Sequence, residues 1–122
     1  MRVLRFIFVL GALCFPAAVA VNSIRFGYDF KEAMWRTFMT PFEGTVWAPG
    51  FTESAFSKVH LGMSAAEVNS LLGDPLRKSC DAEGCLWIYT WQDTGTANFD
   101  QRWLDFDSAG RVKEIRKSFY ID

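Results

Sequence analysis

Residues 60–75 carry apolar side chains at helical spacing, with an end signal on each side. Ser64 and Glu67 form a Ser-x-x-Glu capping box, in which each side chain accepts a hydrogen bond from the other residue's backbone amide. Gly73 follows the last apolar residue, and Pro75 prevents the helix from continuing. This pattern predicts a short helix whose apolar face is made by Ala65, Val68, Leu71 and Leu72.

The residues before this helix extend the same interpretation. Met63 and Val68 are spaced to close a hydrophobic staple across the cap, and Gly62 turns the chain into the helix. Thr52 can cap a second short helix over residues 53–59, with its inward face made by Ala55, Phe56 and Val59.

After Pro75 the apolar residues alternate as they do in β-strands. The alternation in residues 86–91 places Trp87, Tyr89 and Trp91 on one face, opposite Leu86 and Ile88. Residues 102–106 and 111–119 predict two more strands, joined by a hairpin loop in which Gly110 takes a positive φ. The order predicts an α+β domain in which two short helices pack on a three-stranded antiparallel sheet, ααβββ.

The segment from Asn22 to Gly50 is rich in aromatic residues. Phe30, Met34, Trp35 and Phe38 recur at helical spacing, which predicts a helix over residues 29–39 that ends before Pro41. Residues 41–50 then form a loop that buries Trp47. Two interpretations of the helix stay open: packing on the domain, which we favour because an amphipathic stripe usually faces a core, and a membrane-interface helix flanked by Lys31 and Arg36.

The N-terminal residues have the features of a targeting segment. Arg2 and Arg5 precede an apolar run from Phe6 to Val21, and the small residues at 18–20 suit a signal peptidase. We expect cleavage after Ala20, so residues 1–20 form a signal peptide and residues 21–50 an extension of the domain at 51–122. An uncleaved anchor is the second possibility. Lipidation of Cys14 is the third, although Leu13 stands where lipoprotein processing needs a small residue.

Composition narrows the class of protein. The chain has 122 residues, of which half are apolar, and its formal net charge is −1. This is enough for one packed domain, and it lacks the basic patch that a nucleic-acid partner requires.

The chemistry-bearing residues are few. Cys80 and Cys85 lie in a predicted loop, where a disulfide fits an oxidising envelope compartment. The rival is a metal site that uses these thiols with His60, Asp81 or Glu83. His60 suits the end of a helix. No nucleophile, paired acid or phosphate loop is recognisable, so we expect no enzyme activity and no cofactor.

A resemblance extends over residues 51–121. In this range the chain resembles the SmpA/OmlA family, the small BamE-like lipoproteins of the outer-membrane β-barrel assembly machinery. The matching residues are Gly62, Met63, Ser64, Glu67, Val68, Leu72, Gly73, Pro75, Trp87, Tyr89, Phe106 and Gly110.

The resemblance implies a non-catalytic scaffold or adaptor at the periplasmic face of the outer membrane, supporting barrel insertion or envelope integrity. Its expected partners are envelope or outer-membrane assembly proteins, with anionic lipid and a second copy of the chain as further candidates. The alternative is a periplasmic inhibitor or ligand-binding module built on the same helix-plus-sheet unit. One helical layer covers only one face of the sheet, so apolar side chains on the other face need a second cover. We therefore expect large aromatic residues to make the interaction. The candidates are Trp35, Phe38, Trp47, Trp91 and Trp103.

Overall fold

The computed structural model describes residues 2–121, apart from the side chains of residues 2, 4 and 6. The chain forms two compact units, residues 1–41 and residues 42–122.

The first unit contains two helices. Helix α1 spans Arg2–Phe26 and helix α2 spans Phe30–Met39. The Asp29 side chain caps α2 by accepting a hydrogen bond from the Glu32 amide at 2.8 Å, so the predicted helix over residues 29–39 is confirmed. A single 3₁₀ turn, Thr40–Phe42, follows. In α1 the stretch Ile7–Phe26 is long and apolar enough to cross a membrane, which is also compatible with a signal sequence.

The second unit is α+β, as predicted, but its sheet is larger than expected. The described strands are β1 Thr45–Trp47, β2 Arg77–Asp81, β3 Gly84–Ile88, β4 Thr90–Gln92, β5 Phe99–Asp107 and β6 Val112–Tyr120. Four of them form an antiparallel sheet in the order β2-β3-β5-β6, and β1 pairs with β4 in a separate two-stranded sheet. The prediction of one three-stranded sheet is therefore wrong.

Strand β1 was missed because its sequence signal is weak. Only three residues, Thr45–Trp47, form the strand, between Gly44 and Pro49. They pair antiparallel with β4, with Val46 opposite Trp91. Since the partner lies more than forty residues away in sequence, local periodicity over residues 41–50 indicates a loop and does not reveal the strand.

The predicted strand over residues 86–91 is interrupted at Tyr89. The Tyr89 amide donates to the Arg102 carbonyl at 3.1 Å, and the Thr90 hydroxyl accepts from the Arg102 amide at 2.8 Å. Tyr89 and Thr90 of one strand therefore lie opposite the single residue Arg102, as in a β-bulge. After the bulge, the side chains point to the opposite faces from those that strict alternation predicts. Tyr89 and Trp87 stay in the core, whereas Trp91 stacks on Trp103 instead. The prediction that Trp91 shares their face is wrong.

Cys80 and Cys85 lie within a hairpin rather than in a loop. They are direct cross-strand partners in β2 and β3, and they form a disulfide, which confirms the predicted bridge. The Asp81 carboxylate accepts hydrogen bonds from the amides of Glu83 and Gly84, at 2.8 and 3.1 Å, and so closes the two-residue turn. A side chain at Gly84 would collide with the Phe106 carbonyl oxygen, so this turn needs glycine.

Two short helices cover one face of the large sheet. Helix α3 spans Glu53–Phe56, shorter than the predicted 53–59, and helix α4 spans Ala65–Leu72. The capping box of Ser64 and Glu67 is present in full. The core cluster between helices and sheet consists of Ala48, Phe56, Val59, Val68, Leu72, Trp87, Tyr89, Leu104, Phe106 and Val112.

Candidate interaction surface

Strand β5 divides the second unit into a core face and a reverse face. Along Phe99–Asp107, residues with even numbers are buried, and Leu104 and Phe106 join the core cluster under α3 and α4. Successive side chains of a strand point to opposite faces, so Trp103 and Asp105 belong to the other face. We call this other face of the large sheet, together with the β4 residues that stack on it, the reverse face.

The reverse face carries an aromatic cluster made by three strands. Trp91 of β4 stacks on Trp103 of β5 with ring centres 5.4 Å apart and an interplanar angle of 13°. Phe99 contacts Trp91 at 5.9 Å, and Tyr120 of β6 lies 5.3 Å from Phe99. The indole of Trp103 donates a hydrogen bond to the Thr90 carbonyl at 2.8 Å, which fixes the ring where β3 passes into β4.

Two arginines flank this cluster. The guanidinium of Arg77 lies 5.4 Å from the centre of the Trp91 ring, and that of Arg116 lies 6.0 Å from the centre of the Trp103 ring. Arg116 also pairs with Asp105 at 2.8 Å. Cations held over indole faces gain cation–π stabilisation and leave N–H donors at the rim of an apolar patch. The surface can therefore accept an apolar side chain beside a carboxylate or phosphate.

A shallow groove runs beside the cluster. It encloses about 230 Å³ and is lined by Val46, Leu76, Arg77, Ile88 and Trp91. Val46 and Leu76 are 42% and 40% exposed, whereas Ile88 at the base is buried. Strand β2, at the edge of the sheet next to Ile88, is exposed along its whole length. A wide apolar groove beside an accessible strand edge suits an extended peptide better than a small molecule.

A buried ion pair between Arg102 and Glu53 lies on the core face of β5. The Arg102 side chain is fully buried, and its Nε donates to Glu53 Oε1 at 2.8 Å. Its Nη1 donates to the Gln101 carbonyl at 2.7 Å, and Lys117 Nζ lies 3.9 Å from Glu53 Oε2. Burial raises the pKa of Glu53, and the positive charge of Arg102 opposes that rise. The pair joins α3 to β5.

Tyr89 connects the sheet to the end of helix α4. Its hydroxyl donates to the Gly73 carbonyl at 2.9 Å. Burial, and to a lesser degree the nearby charge of Asp74, raises the pKa of Tyr89 well above its usual range, so the phenol keeps its proton. Gly73 itself has φ 73° and ψ −164°, a conformation that only glycine adopts without strain.

The residues that carry the family resemblance lie in turns, in the core and at the ends of helix α4. Gly62 and Gly110 take positive φ at turns, and Trp87 packs on Phe106 with ring centres 4.6 Å apart. Val68 and Leu72 are core residues, Met63 packs against them, Ser64 and Glu67 cap the helix, and Pro75 follows its end.

Of the five interaction candidates, the structure brings two together. Trp91 and Trp103 form the centre of the aromatic cluster. Trp47 instead packs on Phe51 near the core, at 5.3 Å, and Trp35 and Phe38 form an edge-to-face pair in α2. The sequence argument missed Phe99, Tyr120 and the two flanking arginines, although extending the β5 alternation back to residue 99 would have revealed the first.

The side chains do not converge on a metal site. No group of three or more His, Cys, Asp or Glu residues within the described residues 2–121 could hold a metal ion. His60 is exposed, and its Nδ1 lies 3.1 Å from the Leu61 carbonyl oxygen.

Comparison with models of protein families gives no match to this chain, and neither does comparison with characterised proteins. The likeness to the SmpA/OmlA family therefore rests on the residues quoted above and stays a prediction.

Proposed function

We propose that this chain is a non-catalytic scaffold or adaptor of the cell envelope, which binds an extended segment of a partner protein on its reverse face. The observation that carries the proposal is the aromatic cluster between Arg77 and Arg116, beside an exposed edge strand. Aromatic and arginine side chains are the residues that dominate binding energies at protein interfaces. Phe99 is buried and the two indoles are half-buried, so the exposed apolar surface beside them comes from Val46, Leu76 and Tyr120. Exposed apolar patches on a protein surface often mark interfaces.

The disulfide and α1 support export to an oxidising compartment. A disulfide between Cys80 and Cys85 is stable outside the cytosol, and an apolar helix precedes the folded unit. The SmpA/OmlA resemblance makes outer-membrane assembly proteins the expected partner class. Helices α3 and α4 also precede the large sheet in the order that the family implies. Anionic lipid and a second copy of the chain are the competing partners.

Site-specific photocrosslinking in cells that make the full chain tests this proposal. A photoreactive amino acid replaces Val46, which lines the groove, and in a matched control it replaces Leu61, which is 65% exposed outside the groove. We expect crosslinks to an envelope assembly protein from position 46 and none from position 61. The substitution Arg77→Glu should reduce the yield, because it reverses the charge at the rim without removing a buried side chain.

Three results would contradict the proposal. Equal crosslinking from both positions would mean that the groove has no preferred partner. A crosslink to a soluble enzyme would favour the inhibitor alternative. A crosslink only to a second copy would identify the reverse face as a dimer contact.

A further inference from the structure

In helix α2 the aromatic side chains are exposed and an arginine is buried, the reverse of what is usual for a surface helix of a soluble protein. Its exposed side carries Phe30 at 73%, Phe38 at 61% and Trp35 at 43% exposure. Its inward side carries Ala33, which is fully buried, and Arg36, which is only 9% exposed. A surface helix normally turns its aromatic residues inward and its charges to water. The favourable environment for the outer side of α2 is therefore not bulk water.

The polar side of α2 is held by the end of α1. The Asn22 side-chain amide donates to the Thr37 hydroxyl at 2.8 Å and accepts from Arg36 Nη1 at 3.2 Å. The Arg36 guanidinium also lies 3.9 Å from the centre of the Phe26 ring. These contacts fix which side of α2 faces outward, because turning the helix would break all of them.

Helix α1 ends where α2 begins. The apolar stretch Ile7–Phe26 has 20 residues, which at 1.5 Å per residue is about 30 Å, the thickness of a bilayer's hydrocarbon core. Its side chains are almost all exposed within the unit. Three residues, 27–29, then reverse the chain, with Gly27 at φ 65°. If α1 crosses a bilayer, α2 starts at the level of the lipid headgroups.

We propose that α1 is retained as a transmembrane anchor and that α2 lies in the lipid interface, with Phe30, Trp35 and Phe38 inserted at the boundary between headgroups and acyl chains. Tryptophan is the side chain most characteristic of this depth. Lys31 is exposed on the same side and can reach lipid phosphates. The occupant of this helix face is thus the bilayer that α1 itself enters.

The structure also opposes cleavage after Ala20. Helix α1 continues without a break through this position to Phe26. Val19, on one side of the bond, is 3% exposed, and Asn22, on the other, bonds to α2. Cleavage after Ala20 would therefore divide a continuous helix and remove Val19 from the packed unit. This inference is separate from the partner proposed for the reverse face and does not depend on it.

The test uses the full chain, produced in a bacterial host, recovered from its membranes and reconstituted in phosphatidylcholine–phosphatidylglycerol vesicles. Cys14 is replaced by serine so that one new cysteine can carry an environment-sensitive NBD fluorophore. The probe is placed by Phe38→Cys, by Phe30→Cys as a second site, and by Lys113→Cys, at an exposed position of β6, as a control. Intact mass gives the N-terminus of the recovered protein.

We expect residues 1–20 to be present in the recovered mass. Probes at positions 30 and 38 should lose most of their fluorescence to phospholipids brominated near the headgroup, and little to aqueous iodide. The probe at position 113 should show the opposite. A protein that begins at Val21, or probes at 30 and 38 that respond to iodide as position 113 does, would overturn the proposal. Probes shielded from both quenchers would place a protein surface, not lipid, on α2 and would overturn it equally.

Discussion

Replacing Glu53 by glutamine should destabilise the second unit more than the loss of an exposed charge, because the buried positive charge of Arg102 would lose its 2.8 Å ion pair with Glu53. The side chain of Arg102 is fully buried and that of Glu53 is 22% exposed. Two unit charges about 4 Å apart attract by about 4 kcal/mol at an effective dielectric constant near 20. Partial exposure of Glu53 reduces this attraction, and the burial that raises the pKa of Glu53 offsets a further part of it, so we expect Glu53→Gln to cost about 1–2 kcal/mol.

Urea unfolding of the full chain at neutral pH, followed by tryptophan fluorescence, measures this cost. Four of the five tryptophans, Trp47, Trp87, Trp91 and Trp103, lie in the second unit, so the signal reports its unfolding. The matched control is Glu114→Gln. Glu114 is 59% exposed and lies 3.6 Å from Arg116, and such a surface pair contributes less than about 1 kcal/mol.

A double-mutant cycle separates the pair from its surroundings. Arg102→Met removes the buried charge and leaves Glu53 near Lys117, so it should cost less than Glu53→Gln if burial of the guanidinium without the Glu53 carboxylate is the main penalty. The double variant should be less destabilised than the sum of the two single variants. Additive costs, or a Glu53→Gln effect no larger than that of Glu114→Gln, would refute the assignment of the pair as the link between α3 and β5.

Three smaller changes test the end of helix α4, the disulfide and the helix cap. Gly73→Ala should cost about 1–3 kcal/mol through backbone strain alone, because an added Cβ meets no atom within 4 Å; an unchanged thermal midpoint would mean that the helix end is misassigned. Reducing the Cys80–Cys85 bridge should cost about 2 kcal/mol, and free thiols in protein taken directly from the envelope would contradict the bridge. Hydrogen bonds from the Ser64 backbone amide and hydroxyl lower the pKa of Glu67 from its ordinary 4.5, so this carboxylate stabilises the fold above that pH, and the stabilisation is lost as pH falls through the lowered pKa. Glu67→Gln should therefore be less stable than the parent at pH 7, with the difference vanishing in strong acid; a constant difference would exclude the ionised cap.

Features that depend on neighbours in sequence could be predicted. The ends of α4 are specified by Ser64, Glu67 and Gly73 within ten residues. Ser64 and Glu67 form the predicted capping box, whereas Gly73 ends the helix with a positive φ but not in the predicted left-handed helical conformation. The disulfide joins two cysteines five residues apart, so its pairing could be predicted from their spacing, although the hairpin that contains them depends on the pairing of β2 with β3.

Features that depend on pairing between residues distant in sequence could not be predicted. Strand β1 exists because residues 45–47 meet β4, and the bulge at Tyr89 arises because two residues face Arg102. That bulge moves Trp91 to the reverse face, where it meets Trp103 and completes the aromatic cluster. The burial of Arg102 could not be predicted either, because an arginine in a strand is normally expected on the solvent face. Its position on the core face depends on the contact with Glu53 of α3, which is distant in sequence. The candidate site is thus a product of tertiary contacts, although two of its aromatic residues were recognised.

The position of β1 decides where the chain can be shortened. All ten residues of the core cluster lie between Ala48 and Val112, so a chain of residues 42–122 keeps the core and both sheets. Deleting residues 22–50 instead removes β1 and Ala48, whose amide donates to the Tyr89 carbonyl at 2.8 Å. It also removes the Thr45 hydroxyl, which accepts a hydrogen bond from the Asp100 amide at 2.9 Å.

We therefore expect the 42–122 chain to be soluble and to unfold cooperatively, and the 22–50 deletion to aggregate because the edge of β4 and part of the core are open to solvent. Light scattering and thermal unfolding, run on both proteins at equal concentration, compare them directly. Equal behaviour of the two proteins would show that the pairing of β1 with β4 contributes little to the fold. Aggregation of the 42–122 chain alone would show that the second unit cannot stand without residues 1–41, and the boundary at Pro41 would then divide a single folding unit.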